Sequence, residues 1–416
     1  MNLRGEAQNM PDGMNWDIGK IEDADVFGAV KRNPGDYLVE WSRRTPFYVM
    51  VADLPQAVIT RYEDQKRALE DFARFSSAKR PWPGTEKFYY YRGLPVITDN
   101  DPPAQVRLRR LMAPAFSARK LATMDGRIRD FVSARLDAIA ESGDAFDVVA
   151  DVSHPLAAFI LLGLCLDLPE EVWPIFVRIS RGMAAFGRMG PGSQPPQDYL
   201  DAWDEGHRYC EQLIESRRRV PKDDVVGAIV AACDQDGRIS GDEMFATMLV
   251  LYTAGFGGIQ NTAAFALWRL CRDPAQLALL REDLSLTPAA VAESVRMDTN
   301  AWTVLRWATQ TFEYEGLKFF EDMPIHMICS APNYDPTIYE DPLRFDIRRK
   351  PQDLASFGHG VHHCIGSLLA KMTGRIAVQA VVERFPGLHL PDPDFYPEIV
   401  GGPKERGLSS MPMCAA

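Results

Sequence analysis

The stretch Phe357-Gly358-His359-Gly360-Val361-His362-His363-Cys364-Ile365-Gly366 sets one cysteine between a glycine-broken loop and an apolar run over residues 365–385. In that run Leu368, Leu369, Met372, Ile376 and Val378 recur at helical spacing, so the run reads as a helix. A cysteine at a helix N-terminus meets unpaired backbone N–H groups and the positive end of the dipole, which favour thiolate over thiol. Gly358, Gly360 and Gly366 permit tight turns and let backbone approach a flat cofactor closely.

Three chemistries suit such a cysteine. A zinc site would draw on His359, His362, His363 and Cys364, but donors crowded into so few residues fit a tetrahedron poorly, and structural zinc usually draws on two separated loops. An inert buried cysteine in an ordinary loop is the second. The third is axial ligation of a haem iron, where a thiolate pushes electron density onto bound oxygen. The stretch resembles, at every fixed position, the Phe-Gly-x-Gly-x-His-x-Cys-x-Gly cysteine loop of the cytochrome P-450 superfamily. That resemblance implies that Cys364 is the proximal iron ligand and that Phe357 packs near its sulfur. It also implies that Gly366 lies against the cofactor and that His362 takes the basic position that pairs a haem propionate.

The bulk properties set outer bounds. The chain has 416 residues, 46% hydrophobic and 25% charged, with a formal charge of −11. That charge argues against general nucleic-acid affinity. Seven cysteines stand far apart, at 165, 210, 233, 271, 329, 364 and 414, with no CxxC pair, which fits a reducing compartment. Residues 1–10 are polar and unlike a secretory signal, and the longest apolar run, 156–166, is too short to span a bilayer. The chain reads as soluble and cytoplasmic, with an extended arm over 1–25 and a single haem domain over 26–416.

In chain order, residues 34–43 read as a short helix, 47–51 and 56–60 as a hairpin, and 62–71 as a helix, an order that resembles the family's opening. Residues 80–96 hold Trp82, Phe88, Tyr89, Tyr90 and Tyr91 among prolines and glycines, which preclude a long regular element. The resemblance implies a loop over the substrate pocket, with Trp82, Phe88 and Tyr90 lining it; a loop pinned to the core by its aromatics is the other reading. A helix follows Asp101-Pro102-Pro103 and carries Arg107, Arg109 and Arg110. Gln105 stands where the family commonly has histidine, so Gln105 and Arg109 are expected at a propionate. Helical patterns follow over 118–141, 149–165, 170–189 and 198–219, the last two resembling the family's lid.

Ser240 reads as an N-cap with Glu243 at the capping-box position, opening an apolar helical pattern that runs to Leu270. It resembles the family's distal helix, with Ala254-Gly255 on the family's Ala-Gly pair and Ala254 at the cofactor. Gly257 and Gly258 then occupy the positions where the family usually has an acid and a threonine. Each helix-interior glycine costs about 1 kcal/mol against alanine, so the run implies close packing or room. A water held by Thr253, Gln260, Asn261 or the substrate would take over proton supply, and Phe256 would face the pocket.

Glu293 and Arg296 share a helix face. The resemblance makes them, with Arg344, a buried network that holds the cysteine loop. Arg306 matches a second propionate-binding arginine, and Ala301, Thr303 and Val304 are expected in the pocket. The resemblance thus implies a mainly α-helical domain with a small β-rich lobe and haem b between the long helix and the cysteine loop. The implied activity is insertion of one oxygen atom from O2 into a small hydrophobic substrate, terpenoid or aromatic, by hydroxylation or oxidative O-demethylation. Electrons would come from ferredoxin and ferredoxin reductase, docking near Arg107, Arg110, Arg349 and Lys371. A hydrogen-peroxide-driven peroxygenase and a haem-based ligand sensor are the alternatives. Residues 400–404, Val-Gly-Gly-Pro-Lys, resemble members that act on monoterpenes and small aromatics.

Overall fold

A computed structural model describes residues 35–51, 54–82, 91–186, 193–222, 224–236, 240–351, 353–400 and 406–415. The expected arm over 1–25, Phe88, Tyr90 and the turn at 401–404 lie outside the described residues.

Five strands form one sheet: Phe47–Val51 (β1), Leu54–Ile59 (β2), Phe75–Ser76 (β3), Thr303–Ala308 (β4) and Pro324–Ile328 (β5), in the order β1-β2-β5-β4-β3. β1 and β2 make the hairpin that alternation implied, with Tyr48 opposite Ala57. β2 then runs parallel to β5, Val58 opposite His326. A parallel pair needs a long crossover, and here that crossover carries most of the helical part of the chain. Tyr48, Phe75, Phe319, Met323 and Ile325 give the sheet lobe an apolar core of its own. Trp82 is buried in that core, which corrects its expected place in the pocket: a large ring beside an apolar sheet gains more by burial than by lining a cleft.

The helices that build the site are Tyr62–Glu70 (α1), Ala104–Met112 (α2), Asp125–Ser142 (α3), Trp173–Phe186 (α4), Gln197–Arg219 (α5), Gly241–Arg272 (α6), Thr287–Met297 (α7) and Ser367–Arg384 (α8). α6 opens on the expected capping box: Glu243 N–H donates to Ser240 Oγ at 3.1 Å and Ser240 N–H to Glu243 Oε2 at 3.3 Å. α7 and α8 pack along α6. At Gly374 of α8 an added Cβ would lie 2.7 Å from Thr262 Cγ2 and 3.1 Å from Val291 Cγ1, so the glycine sets how closely the three helices approach. The apolar run over 156–166 belongs to a longer helical stretch, Val148–Cys165, wound partly as π-helix. This corrects its sequence reading as too short: by length and composition it could cross a membrane, yet 61% of it is buried inside the protein. It packs on α6, where Leu161 meets Gly255.

Candidate active site

α8 begins at Ser367 with Gly366 as its N-cap, so Cys364 stands just before the helix. The loop closes on itself through Cys364 N–H donating to the Phe357 carbonyl at 2.8 Å. Gly360 has φ +66°, and a Cβ there would sit 3.0 Å from the Leu69 carbonyl oxygen; any side chain would be both strained and in collision. Cys364 is exposed by area but surrounded by enough protein that desolvation raises its pKa. Hydrogen bonds from Gly366 and Ser367 backbone and the charges of Arg109 and Lys371 oppose that rise. A metal cation on the sulfur would tip the balance to thiolate. The zinc reading has no support in the geometry. His359 Nε2 pairs with Glu70 Oε1 at 2.8 Å, His362 Nε2 with Ser77 Oγ at 2.9 Å, and no three potential donors converge among the described residues.

Beside this loop lies a cationic recess lined by Val304, Arg306, Ala355, Gly358 and His362. Arg306 is 4% exposed. Its Nη1 donates only to the Leu305 carbonyl, and its Nη2 is buried without a partner. Burial pushes its pKa down to about 10, against the pull of Asp101. A guanidinium held this way calls for an anion, and a carboxylate matches its fork. His362 is pushed down to about 4 by burial and by Arg306, so the ring is neutral at pH 7. Arg109 lies close enough to act on His362, His363 and Cys364 together. Gln105 also anchors the cysteine loop: its Nε2 donates one N–H to the Val361 carbonyl at 2.6 Å. A buried guanidinium with one unpartnered nitrogen, in a recess lined also by Gly358 and His362 of the cysteine loop, fits an iron porphyrin with its two carboxylates.

The third component is a gap in the burial of α6. Met244–Tyr252 is buried without a break, burial resumes at Ile259, and residues 253–258 between them are half-buried or, at Ala254, exposed. Ala254 and Gly258 are four apart and share a face, and a Cβ on Gly258 would meet nothing within 4 Å. This is open room inside a core helix. The other glycines serve packing: a Cβ on Gly255 would lie 3.0 Å from Leu161, and one on Gly257 3.1 Å from Asn300. Phe256 lies on the opposite face, edge-on to His154 and Tyr252, which corrects its expected place in the pocket. The three side chains expected to hold a proton-carrying water are all engaged. Thr253 Oγ1 meets Tyr91 Oη at 3.0 Å and donates to the Leu249 carbonyl. Gln260 Oε1 meets His154 Nδ1 at 3.1 Å, and Asn261 binds Leu408 and Asn300. Asn261 therefore ties elements together and is not a free acid–base group.

On β4, neighbours point to opposite faces. Val304 lines the recess with Arg306, so Thr303 does not; Thr303 is buried with its hydroxyl unpartnered, and Ala301 is half-buried. Glu293 and Arg296 pair as expected, at 2.8 Å with both side chains fully buried. The third member is not Arg344, whose side chain is 61% exposed and paired with Asp346. It is Arg349, whose Nε donates to Glu293 Oε1 at 3.0 Å; Arg344 contributes only its carbonyl. A second buried network escaped the sequence reading. Asp298 receives Arg269 at 2.7 Å and Arg406 at 2.9 Å, its side chain fully buried. Its only local signal was an aspartate just after the Glu293–Arg296 helix. Arg92, beside Tyr91, stacks over Trp203 of α5 at 5.3 Å.

Comparisons with known proteins agree with this geometry. The family model described as Cytochrome P450 matches residues 27–399. The chain is 33% identical over 344 residues to 6-deoxyerythronolide B hydroxylase of Saccharopolyspora erythraea, covering 80% of this chain and 83% of that one. It is 31% identical over 323 residues to cytochrome P450 monooxygenase PikC of Streptomyces venezuelae, covering 76% and 75% respectively. Among solved structures, CalO2 aligns with a TM-score of 0.82 at 28% identity, over 94% of this chain and 98% of that one.

Proposed function

Since the chain belongs to the cytochrome P450 family, whose members are haem monooxygenases, we propose that it oxidises a hydrophobic organic molecule with electrons delivered by a ferredoxin and its reductase in the cytoplasm. When bound, haem supplies activation of O2 and insertion of one oxygen atom into a carbon–hydrogen bond. Cys364 is the iron ligand, with the backbone N–H groups of Gly366 and Ser367 steadying its charge. Arg306, Arg109 and the neutral His362 ring receive the carboxylates. Phe357 closes the loop through its carbonyl, and Gln105 holds the same loop from α2. The observation that carries the reading is the open face of α6 at Ala254 and Gly258, the one stretch of that helix where a reacting molecule has room.

The narrower substrate, a small terpenoid or aromatic compound reacting by hydroxylation or O-demethylation, draws its support from the small residues Ala254 and Gly258 on that open face. The relatives named as 6-deoxyerythronolide B hydroxylase and mycinamicin IV hydroxylase/epoxidase make molecules of the kinds in those names the competing substrates. Of the cations expected to dock the electron donor, Arg110 and Lys371 are the stronger candidates. Arg107 pairs with Glu243 and Arg349 with Glu293. A second reading, a peroxygenase fed by hydrogen peroxide, draws its support from Gly257 and Gly258: neither position offers an acid or hydroxyl to deliver protons.

The test is spectroscopic. Protein loaded with haem and reduced under carbon monoxide should show the red-displaced Soret band of sulfur ligation, and Cys364→Ala should lose it. A wild-type protein lacking the band would overturn the reading. Comparing turnover driven by peroxide with turnover driven by NAD(P)H plus ferredoxin decides between the two oxidant sources.

A further inference from the structure

Gly257 has no side chain, yet the space beside it is filled. A Cβ there would lie 3.1 Å from Asn300 Oδ1 and 3.3 Å from Asn300 Nδ2. Asn300 comes from the turn between α7 and β4, not from α6. Gly257 and Asn261 stand four apart on one face of α6, and both meet the Asn300 amide. Either way round, that amide is engaged. Its oxygen accepts from Asn261 Nδ2 at 2.7 Å; turned over, its nitrogen donates to the Gly257 carbonyl at 3.2 Å and the Arg406 carbonyl at 3.0 Å.

The surroundings hold this amide still. Leu408 N–H donates to Asn261 Oδ1 at 3.1 Å, and Arg406 N–H donates to the Asn300 carbonyl at 2.7 Å. The Arg406 side chain binds Asp298, two residues before Asn300. A Cβ on Gly407 would lie 3.0 Å from Asn261 Nδ2, so the short strand Gly407–Leu408 closes over the pair of amides. A polar group anchored from three directions is what a preorganised site requires.

We propose that Asn300 is a positioning residue for the oxygen-side wall of the site. From the turn before β4 it supplies the polar side chain that position 257 lacks, and position 257 is glycine because this amide takes its side-chain space. The amide fixes the α6 backbone at Gly257, next to the open face at Gly258, and so sets the shape of the room in which substrate and water are held. The proposal rests on the haem-monooxygenase reading for its chemistry but not for its packing.

A double-mutant cycle on the purified holoenzyme tests it. Gly257→Ala alone should lower Tm, because the new methyl displaces Asn300. In an Asn300→Gly background the same change should raise Tm, since alanine then keeps only its better helix propensity. The same sign and size in both backgrounds would overturn the proposal. The second readout is the fraction of NAD(P)H equivalents recovered as product rather than peroxide, at saturating substrate. Asn300→Gly should lower that fraction several-fold, and Gly257→Asn in that background should restore it by returning an amide to the same space. Unchanged product yield in Asn300→Gly, with the sulfur-ligated Soret band intact, would reduce Asn300 to a packing residue and overturn the proposal. Loss of that band in the wild type would instead count against the haem reading, while the Tm cycle would still decide the contact.

Discussion

Arg344 and Arg349 stand five residues apart, and only one of them reaches Glu293. Glu293 is fully buried and receives Arg296 twice at 2.8 Å, Arg349 at 3.0 Å and Asp346 N–H at 3.3 Å. Without Arg349, Glu293 keeps its ion pair with Arg296 but loses one charge-assisted bond. Arg349→Ala should therefore cost about 1.5–3 kcal/mol in urea unfolding, whereas Arg344→Ala should change stability by no more than about 1 kcal/mol, as for a solvated ion pair. The pattern Glu293-x-x-Arg296 was legible because helical spacing puts both on one face. The choice between the arginines was not, because it depends on how an irregular segment turns after Pro342. Asp298 allows a test by pH. Burial pushes its pKa up, but Arg269 and Arg406 pull harder and leave it below the ordinary carboxylate value. The unfolded chain then takes up the proton first, so this stabilisation is complete above the unfolded pKa of about 3.9 and is lost as pH falls through the lower folded value. Asp298→Asn should remove that part of the acid transition and also lower stability at neutral pH, since two buried guanidinium groups lose their counter-charge.

At the scale of elements, the helices were read well where an apolar stripe was present. The capping box at Ser240, the span of α6 and the helix after the cysteine loop all came from spacing and capping chemistry. The glycine stretch of α6 was read less well. Residues 255, 257 and 258 carry no side chains, so periodicity is silent about which way each faces, and Phe256 was turned to the pocket when it belongs to the packing against His154. The structure separates the three glycines by what a methyl would meet. Gly258→Ala should stabilise the haem-free protein by up to about 1 kcal/mol, because the helix gains propensity and no protein atom lies within 4 Å of the new methyl. Gly255→Ala should do the reverse, pressing on Leu161 at 3.0 Å. Thermal melts of the two variants side by side check the contrast. Gly258→Thr, also accommodated, should alter the share of reducing equivalents that reaches product if proton supply is what the missing hydroxyl governs.

For the whole molecule, the parallel contact of β2 with β5 could not be foreseen from local sequence: the two strands are separated by most of the chain, and nothing in either segment names its partner. Long-range charge is clearer. Opposite charges at Arg110 and Lys371, through Arg110→Glu and Lys371→Glu together, should slow electron transfer from the proposed ferredoxin donor and weaken its dependence on ionic strength; stopped-flow reduction at two salt concentrations measures both. Residues 91 and 92 bridge α5 and α6, which also pack directly on each other. Tyr91 is hydroxyl-bonded to Thr253 on α6 while Arg92 lies on Trp203 of α5. Any outward swing of α5 must therefore either carry this strip of chain away from α6 or slide past it. Tyr91→Phe removes the fastening while leaving the ring in place. Arrival and departure of bound molecules should both quicken, with their ratio, and hence affinity at equilibrium, nearly constant: the tyrosine hydroxyl acts as a timer on the doorway and not as part of the grip.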